Sequence, residues 1–360
     1  MSLHATQRPE EITLGTKTFS VEHTYWCFVL NLKNILLTYN YMCVGSLPPS
    51  WGSKGAFPML GRLLLASTDL TGALPAEWGS PAGFQQLTSL AILGSCISAV
   101  LPATWGCTFA FPQLQELSIV NSHLVQPTQE QSLGGLDQDQ TMCSMLPHES
   151  LVNSSTTQSQ CCVSWPHLTT LRLFRSAIHG SIPTAFANSA AFPKLLHLDL
   201  QDNLLTGTVP AVWPLYLAYL NVHNNSLSGV PASSTSLSQL QTLTMSNNML
   251  AGELPSAWGE NSVFQRLMRL ELMGNPIVGT LPVVWGSKGA FPSLMTLQLS
   301  NTSLTGTIPT EWTLPTAFPK LAGLYIEGTH LSGVLPTFHN PRLQLHADNS
   351  NFASVPAQSN

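Results

Sequence analysis

The sequence predicts a stacked solenoid of short parallel β-strands, α/β in type but with an irregular, helix-poor outer side. Three observations predict it. One phrase recurs at a fixed interval, leucines alternate with polar residues inside each copy, and a Pro-x-x-Trp follows at a constant offset. The phrase reads Leu-x-Gly-x-Leu/Ile-Pro-x-x-Trp, then Phe-Pro-x-Leu-x-x-Leu-x-Leu, between Leu36 and Pro336. Its glycine falls at Gly45, Gly72, Gly180, Gly207, Gly229, Gly252, Gly279, Gly306 and Gly333, with Ala99 standing in once. Most neighbouring positions are 27 residues apart, as from 45 to 72. Ala99 and Gly180 are separated by 81, three such intervals, and two short intervals measure 22 and 23. A period of this size marks copies that bury their apolar faces only by stacking on one another.

Each part of the phrase has its own physical reason. Leu270-Glu271-Leu272 and Leu297-Gln298-Leu299 alternate as a strand with one buried face does. One strand per repeat, with crossovers of about twenty residues, can pair only in parallel. Each inward leucine contributes about 1.5–3 kcal/mol by burial. Three residues after the second leucine comes a hydrogen-bonding side chain: Asn203, Asn225, Asn248 and Asn275, or else Thr68, Ser95, Ser176, Thr302 and Thr329. Its expected task is to satisfy backbone groups where the chain leaves the strand. The glycine permits a backbone that a Cβ would penalise, and the proline, lacking an N–H, ends the strand. Trp51, Trp78, Trp105, Trp213, Trp258, Trp285 and Trp312 follow that proline by three residues, with Phe186 in the same slot. An aromatic at a fixed offset predicts an internal stack on the outer side, structural filler rather than a ligand-binding row. Ser234 takes the slot in one shortened repeat.

The domain reading is an irregular N-terminal segment or partial cap over 1–31, then a single solenoid over 32–360 of about 11–12 turns at this period. A Gln-, Ser- and Thr-rich insertion at 125–164 interrupts it, read as an inserted loop in preference to a decayed repeat. Charged residues are 9% of the chain, against about 25% in ordinary soluble domains, and the net charge is −5. With no basic run, nucleic acid is excluded as an expected partner. Seven cysteines leave at least one unpaired or bonded between chains. The candidates for disulfides are Cys27, Cys43, Cys143, Cys161 and Cys162, and the alternative is that all seven are thiols. Residues 1–24 carry Arg8, Glu10, Glu11, Lys17 and Glu22, unlike a signal peptide. The apolar run Tyr25–Tyr39 is broken by Asn31, Lys33 and Asn34, and is shorter than the ~20 residues of a membrane span. No hydrophobic tail for a lipid anchor follows. Any membrane attachment is expected through parts outside this chain.

These residues resemble the leucine-rich repeat superfamily, in the Leu-x-Gly-x-Ile/Leu-Pro class used by plant receptors and cell-wall enzyme inhibitors. They are most similar to the leucine-rich surface antigens of kinetoplastid protozoa. Residues Glu327-Gly328-Thr329-His330-Leu331-Ser332-Gly333 and Gly279-Thr280-Leu281-Pro282-Val283-Val284-Trp285 carry that likeness, which covers roughly residues 36–356. The usual repeat here is 27 residues, where the family has about 24. The resemblance implies a horseshoe or superhelix, a cell-surface or extracellular location, and strand residues that line a concave binding face.

On that architecture the candidate binding residues are Leu64, Ala66, Ala91, Leu93, Val120, Arg172, Phe174, Asp199, Asn221, His223, Glu271 and Tyr325. The first repeats place Leu64, Ala66, Ala91, Leu93, Val120 and Phe174 where water is expected, an apolar patch of the kind that marks an interaction site. The alternative is that the N-terminal segment or the insertion covers it. A metal site among His197, Asp199 and His223 is disfavoured, because the two imidazoles would lie ~14 Å apart on flat paired strands. No cofactor is expected. Asn-x-Ser/Thr glycosylation motifs occur at Asn153, Asn224 and Asn301.

The functional expectation is a non-catalytic binding or adhesion module for a protein or glycan partner. An inhibitor of secreted cell-wall hydrolases and an intracellular scaffold are the alternatives. A polysaccharide-cleaving β-helix ranks below them. Asp199, Glu271 and Glu327 are separated by whole repeats, whereas that chemistry needs converging carboxylates.

Overall fold

Leucines at every second position can be buried only if the strand that carries them has one face covered, and the copies cover one another. The computed structural model describes residues 11–14, 33–98, 101–106, 110–120, 165–182, 191–231, 237–261, 263–348 and 351–353. The chain divides into two units, Met1–Leu195 and Leu196–Asn360. In the first, strands Glu11–Leu14, Asn34–Ser46, Arg62–Ala73, Ser89–Leu93, Glu116–Val120 and Thr170–Phe174 pair in that order, all parallel. In the second, the parallel order is His197–Asp199, Tyr219–Asn221, Thr242–Thr244, Arg269–Glu271, Thr296–Gln298, Gly323–Tyr325 and Gln344–His346. Leu220, Leu243, Leu270, Leu297 and Leu324 stand opposite one another in successive strands and are buried to 1% exposure or less. Each unit is therefore a helix-poor solenoid of parallel strands, as the periodicity predicts.

The strands on either side of the interval 125–164 are direct neighbours in the sheet. Glu116–Val120 pairs directly with Thr170–Phe174, and Gln115 O accepts the amides of Thr169 and Thr170 at 2.9 and 3.0 Å. Among the described residues no strand stands between these two. Residues 125–164 themselves lie outside the described residues, as does nearly all of 1–31. Glu11–Leu14 is the part of that N-terminal segment that the structure describes, and it is a strand, which the sequence reading did not assign.

Beyond the main strands lies a second set that the reading also missed. Thr71–Ala73 pairs with Cys96–Ser98, Gly252–Glu253 with Ile277–Val278, Thr305–Gly306 with His330–Leu331, and Ser332–Val334 with Asn351–Ala353. The recurring glycine sits inside these pairs at positive φ, for example +100° at Gly252 and +83° at Gly306. It breaks the period-2 alternation at that point, so counting alternation across the phrase finds only the first strand.

On the outer side the proline starts a one-turn 3-10 helix in many repeats, among them Ala76–Gly79, Ser256–Gly259, Val283–Gly286 and Thr310–Thr313. Among the described residues there is no α-helix. The tryptophan of each helix is seated by the turn before it. Trp78 Nε1 donates to Pro48 O, Trp105 to Pro75 O, Trp285 to Pro255 O and Trp312 to Pro282 O, all at 2.9–3.0 Å. The indoles stack along the solenoid, with Trp258–Trp285 and Trp285–Trp312 centroids both 6.1 Å apart. A parallel row of Phe57, Phe84 and Phe111 continues onto Trp165, 6.4 Å from Phe111, so the register survives the insertion. These side chains are buried filler, as expected. Phe186 and Ser234 lie outside the described residues.

The glycine that follows most of these tryptophans has a role the sequence reading overlooked. A Cβ on Gly286 would come within 2.6 Å of the Glu311 carbonyl carbon in the next turn, and one on Gly79 within 2.8 Å of Thr104. Successive turns approach too closely there for any side chain.

Where the chain leaves each strand, asparagines act as predicted. Asn248 Oδ1 accepts the Leu227 amide at 3.0 Å, and its Nδ2 donates to the carbonyls of Val222, Met245 and Ser246. Asn275 repeats this with Leu250 N, Met245 O, Leu272 O and Met273 O. Thr302 and Thr329 reach only their own turn, donating to Leu299 O and Ile326 O at 2.8 Å. Thr68 Oγ1 and Ser95 Oγ are buried with no partner among the described residues. There the smaller side chain does not perform the predicted task.

Two stability measurements test this account. Asn248→Ala strands a buried amide and several carbonyls and should lower the unfolding free energy by about 3 kcal/mol in urea titration. Gly286→Ala should cost about 1–3 kcal/mol through the clash with Glu311, although glycine-to-alanine changes at open sites with ordinary backbone angles commonly stabilise.

Candidate binding face

The side of the sheet away from the leucine core carries the side chains that packing does not dictate. In the first unit, Leu64, Ala91, Ser118 and Arg172 form one row across adjacent strands, and Ala66, Leu93, Val120 and Phe174 form the next. All eight are half-buried. The strands thus bring together the predicted apolar residues and hold them in a band with one side uncovered among the described residues. Leu36 belongs to the same row, paired with Leu64, and is half-buried too. The sequence reading began one repeat too late to include it.

In the second unit the corresponding row is Asp199, Asn221, Thr244, Glu271, Gln298, Tyr325 and His346. Here exposure departs from expectation. Asp199 and Asn221 are 6% and 5% exposed, inside the surface rather than on it. Their neighbours close over them. Asn221 Nδ2 donates to Gln201 Oε1 at 2.9 Å and to Tyr219 Oη at 3.3 Å, and the His223 amide donates to Asn221 Oδ1 at 3.0 Å. The Gln201 amide donates to Asp199 Oδ1 at 3.2 Å. His197 stacks flat on Tyr219, ring centroids 4.0 Å apart. Asp199 and Asn221 therefore organise this part of the face, while Gln201, Tyr219 and His223 present its surface.

Further along, Glu271 accepts from Thr244 Oγ1 at 3.3 Å and pairs with Arg269 at 2.8 Å. With Arg269 more than half exposed, such a pair contributes about 0–1 kcal/mol. The Ser300 amide donates to Gln298 Oε1 at 3.2 Å and its hydroxyl to Glu327, and Glu327 faces His346 Nδ1 at 3.7 Å. The carboxylate sits between the hydroxyl and the imidazole. A serine nucleophile needs the imidazole at its own hydroxyl, so this trio is not an acyl-transfer site. Tyr325 stacks on His346 with centroids 4.4 Å apart. Its ring lies over Gly323, where a Cβ would meet the ring carbon Cε2 at 2.7 Å.

One exposed row escaped the sequence reading. Leu196, Met268 and Met295, each just before its strand, are 40–46% exposed. The amides of Met268 and Met295 bond to the preceding turns, so the two methionines are neighbours. Reading the residue before each strand as its own column would have shown it. Of the glycosylation motifs, Asn224 and Asn301 are exposed at positive φ, and Asn224 Nδ2 donates to Asp202 Oδ1 at 2.8 Å. Asn153, Cys27, Cys143, Cys161 and Cys162 lie outside the described residues. The backbone of Cys43 lies in the strand Asn34–Ser46. Among the described residues no helix is long and apolar enough to cross a membrane.

Comparison with solved structures places this arrangement. The plant peptide hormone receptor RGFR1 in complex with RGF2 superposes with a TM-score of 0.64 at 22% identity, over 90% of this chain and 49% of the receptor. A TDR receptor gives 0.65 at 21% identity, over 90% of this chain and 48% of its own. A leucine-rich repeat protein of Leptospira interrogans gives 0.60 at 22% identity, over 96% and 80%. Residues 239–261 match the Leucine Rich Repeat family model. The chain folds as a leucine-rich repeat protein. It spans about half the length of the two receptors it superposes on. No curated protein sequence matches it.

In this chain, Gly323→Ala should lift the Tyr325 ring from the sheet. The His346 ring protons, shifted upfield by the stacked tyrosine, should then move toward their free positions in the NMR spectrum. Unchanged shifts would refute the stacking.

Proposed function

We propose that this leucine-rich repeat chain is a non-catalytic binding module that engages a protein partner through the open side of its sheet. The observation that carries this reading is the half-buried band of Leu36, Leu64, Ala66, Ala91, Leu93, Val120 and Phe174, aligned strand by strand. Apolar side chains held in register and left partly open favour association with a complementary surface. In the first unit Arg172 adds a charged group beside this band, and the polar face of the second unit, with His223, Glu271 and Tyr325 as its distinctive groups, offers directional contacts of its own.

RGFR1, one of the structures of similar fold, is a peptide hormone receptor and is seen with RGF2. That supports a polypeptide partner here, and an extracellular or cell-surface setting for the module. Within the reading, the resemblance of the Thr-Leu-Pro-x-x-Trp repeats to kinetoplastid surface antigens favours adhesion, with Asn224 and Asn301 as glycan acceptors. A glycan partner is the narrower alternative.

Selection of a displayed peptide library on the full chain tests the proposal. Peptides recovered on the unmodified protein should lose at least about tenfold in affinity to a Leu93→Asp, Phe174→Asp variant whose circular dichroism is unchanged. Full retention of binding by that folded variant would move the interface elsewhere.

A further inference from the structure

A guanidinium that has lost part of its hydration beside apolar side chains is stabilised by a carboxylate, and one such group stands here without any. Arg172 lies on the open side of the strand Thr170–Phe174, with Ser118 opposite it on the neighbouring strand. Phe174 follows two residues later on the same face, Val120 is opposite Phe174, and Leu93 is opposite Val120. All of these side chains are half-buried. Among the described residues the Arg172 side chain has no hydrogen-bond or ion-pair partner.

The charges around it do not fill that role. In the rows that Thr170, Arg172 and Phe174 continue, Glu116 is the one carboxylate among the described residues of the first unit. Its Oε2 accepts the Ser89 hydroxyl at 3.3 Å, and Ser89 is on the strand farther from Arg172, so the carboxylate leans the other way. Arg62, the other cation of these rows, is exposed, where water and salt solvate a charge at little cost. Arg172 differs in being half-covered by its neighbours, and a charge-assisted bond there is both stronger and more directional than one at an exposed cation.

We infer that Arg172 anchors a carboxylate side chain of a polypeptide partner, and that a large apolar side chain of the same partner sits beside it on Leu93, Val120 and Phe174. The inference rests on the open side of the sheet being the binding face, and it names the chemistry that this face selects. Alternate residues of an extended strand are ~6.6 Å apart, which is the spacing of Arg172 and Phe174, so an extended partner meets both groups with side chains about two residues apart. The planar guanidinium receives a carboxylate through two parallel N–H donors. A sulfated glycan would satisfy that fork but has no apolar group for Phe174 and Val120, whereas a polypeptide supplies both.

Peptides selected from a displayed library on the unmodified full chain test the inference, each remade with Asn or Gln in place of its Asp or Glu. The selected peptides should carry an acidic residue beside an aromatic or aliphatic one, and the amide counterpart should bind about tenfold more weakly or worse. Against Arg172→Gln, with unchanged circular dichroism, the two members of a pair should bind equally. Arg172→Lys, which keeps the charge without the fork, should restore only part of the difference. Arg62→Gln should change affinity less than about threefold. Peptides that lose binding to the Leu93→Asp, Phe174→Asp variant yet show no preference for the carboxylate, or keep that preference against Arg172→Gln, would overturn the anchor and leave the apolar face standing. Peptides that bind that variant fully would overturn both. Equal losses from Arg62→Gln and Arg172→Gln would replace the anchor by a diffuse attraction. Recovery of no peptide, with retention of the protein on heparin or without it, would also overturn the assignment.

Discussion

The bonds on which this fold depends run from one turn to the next. The indole of Trp285 needs the carbonyl of Pro255, and the amide of Leu250 needs the side chain of Asn275. Even the entry to each strand depends on the turn before, as when Met295 and Thr296 both donate to Met268 O. A single turn offers few internal backbone bonds and one exposed leucine face, so it has no reason to hold its shape alone. Close approach of successive turns makes the cross-turn bonds possible. The glycine after the tryptophan sets that approach, because the next backbone passes where a Cβ would stand.

Much of this fold was readable in advance because it repeats. A leucine at one strand centre is ambiguous, but the row of Leu220, Leu243, Leu270, Leu297 and Leu324 admits one explanation. Asn203 to Asn275 could be assigned to backbone bonding from their offset alone, and the structure agrees. The features that escaped are those that the pattern does not carry. Glu11–Leu14 lies before the first copy of the phrase. The second set of short strands sits around a glycine whose positive φ interrupts alternation. The close packing of Gly79 and Gly286 was hidden because their φ angles are ordinary, and only the neighbouring turn explains them.

The candidate face was legible in position and less so in exposure. Register alone put Leu64, Ala91 and Ser118 side by side, and likewise Ala66, Leu93 and Val120. Whether a side chain on such a row meets solvent depends on the size and bonding of its neighbours, which no column of letters reports. Asp199 and Asn221 show this, drawn beneath Gln201 and Tyr219 by the bonds their short polar side chains make. The Tyr325–His346 stack depends in turn on Gly323, a residue with no side chain of its own to notice.

The exchange of asparagine for threonine along the strand exits has a mechanical consequence. Asn225, Asn248 and Asn275 each tie two turns together, whereas Thr302 and Thr329 close bonds only within one. In a linear array, cooperativity is the strength of such nearest-neighbour links. Between Asn203 and Asn275 these latches link each turn of the second unit to the next, which favours their opening together. Past Ser300 the turns keep their strand pairing, leucines and rings but lack that side-chain latch, so this end should open more readily.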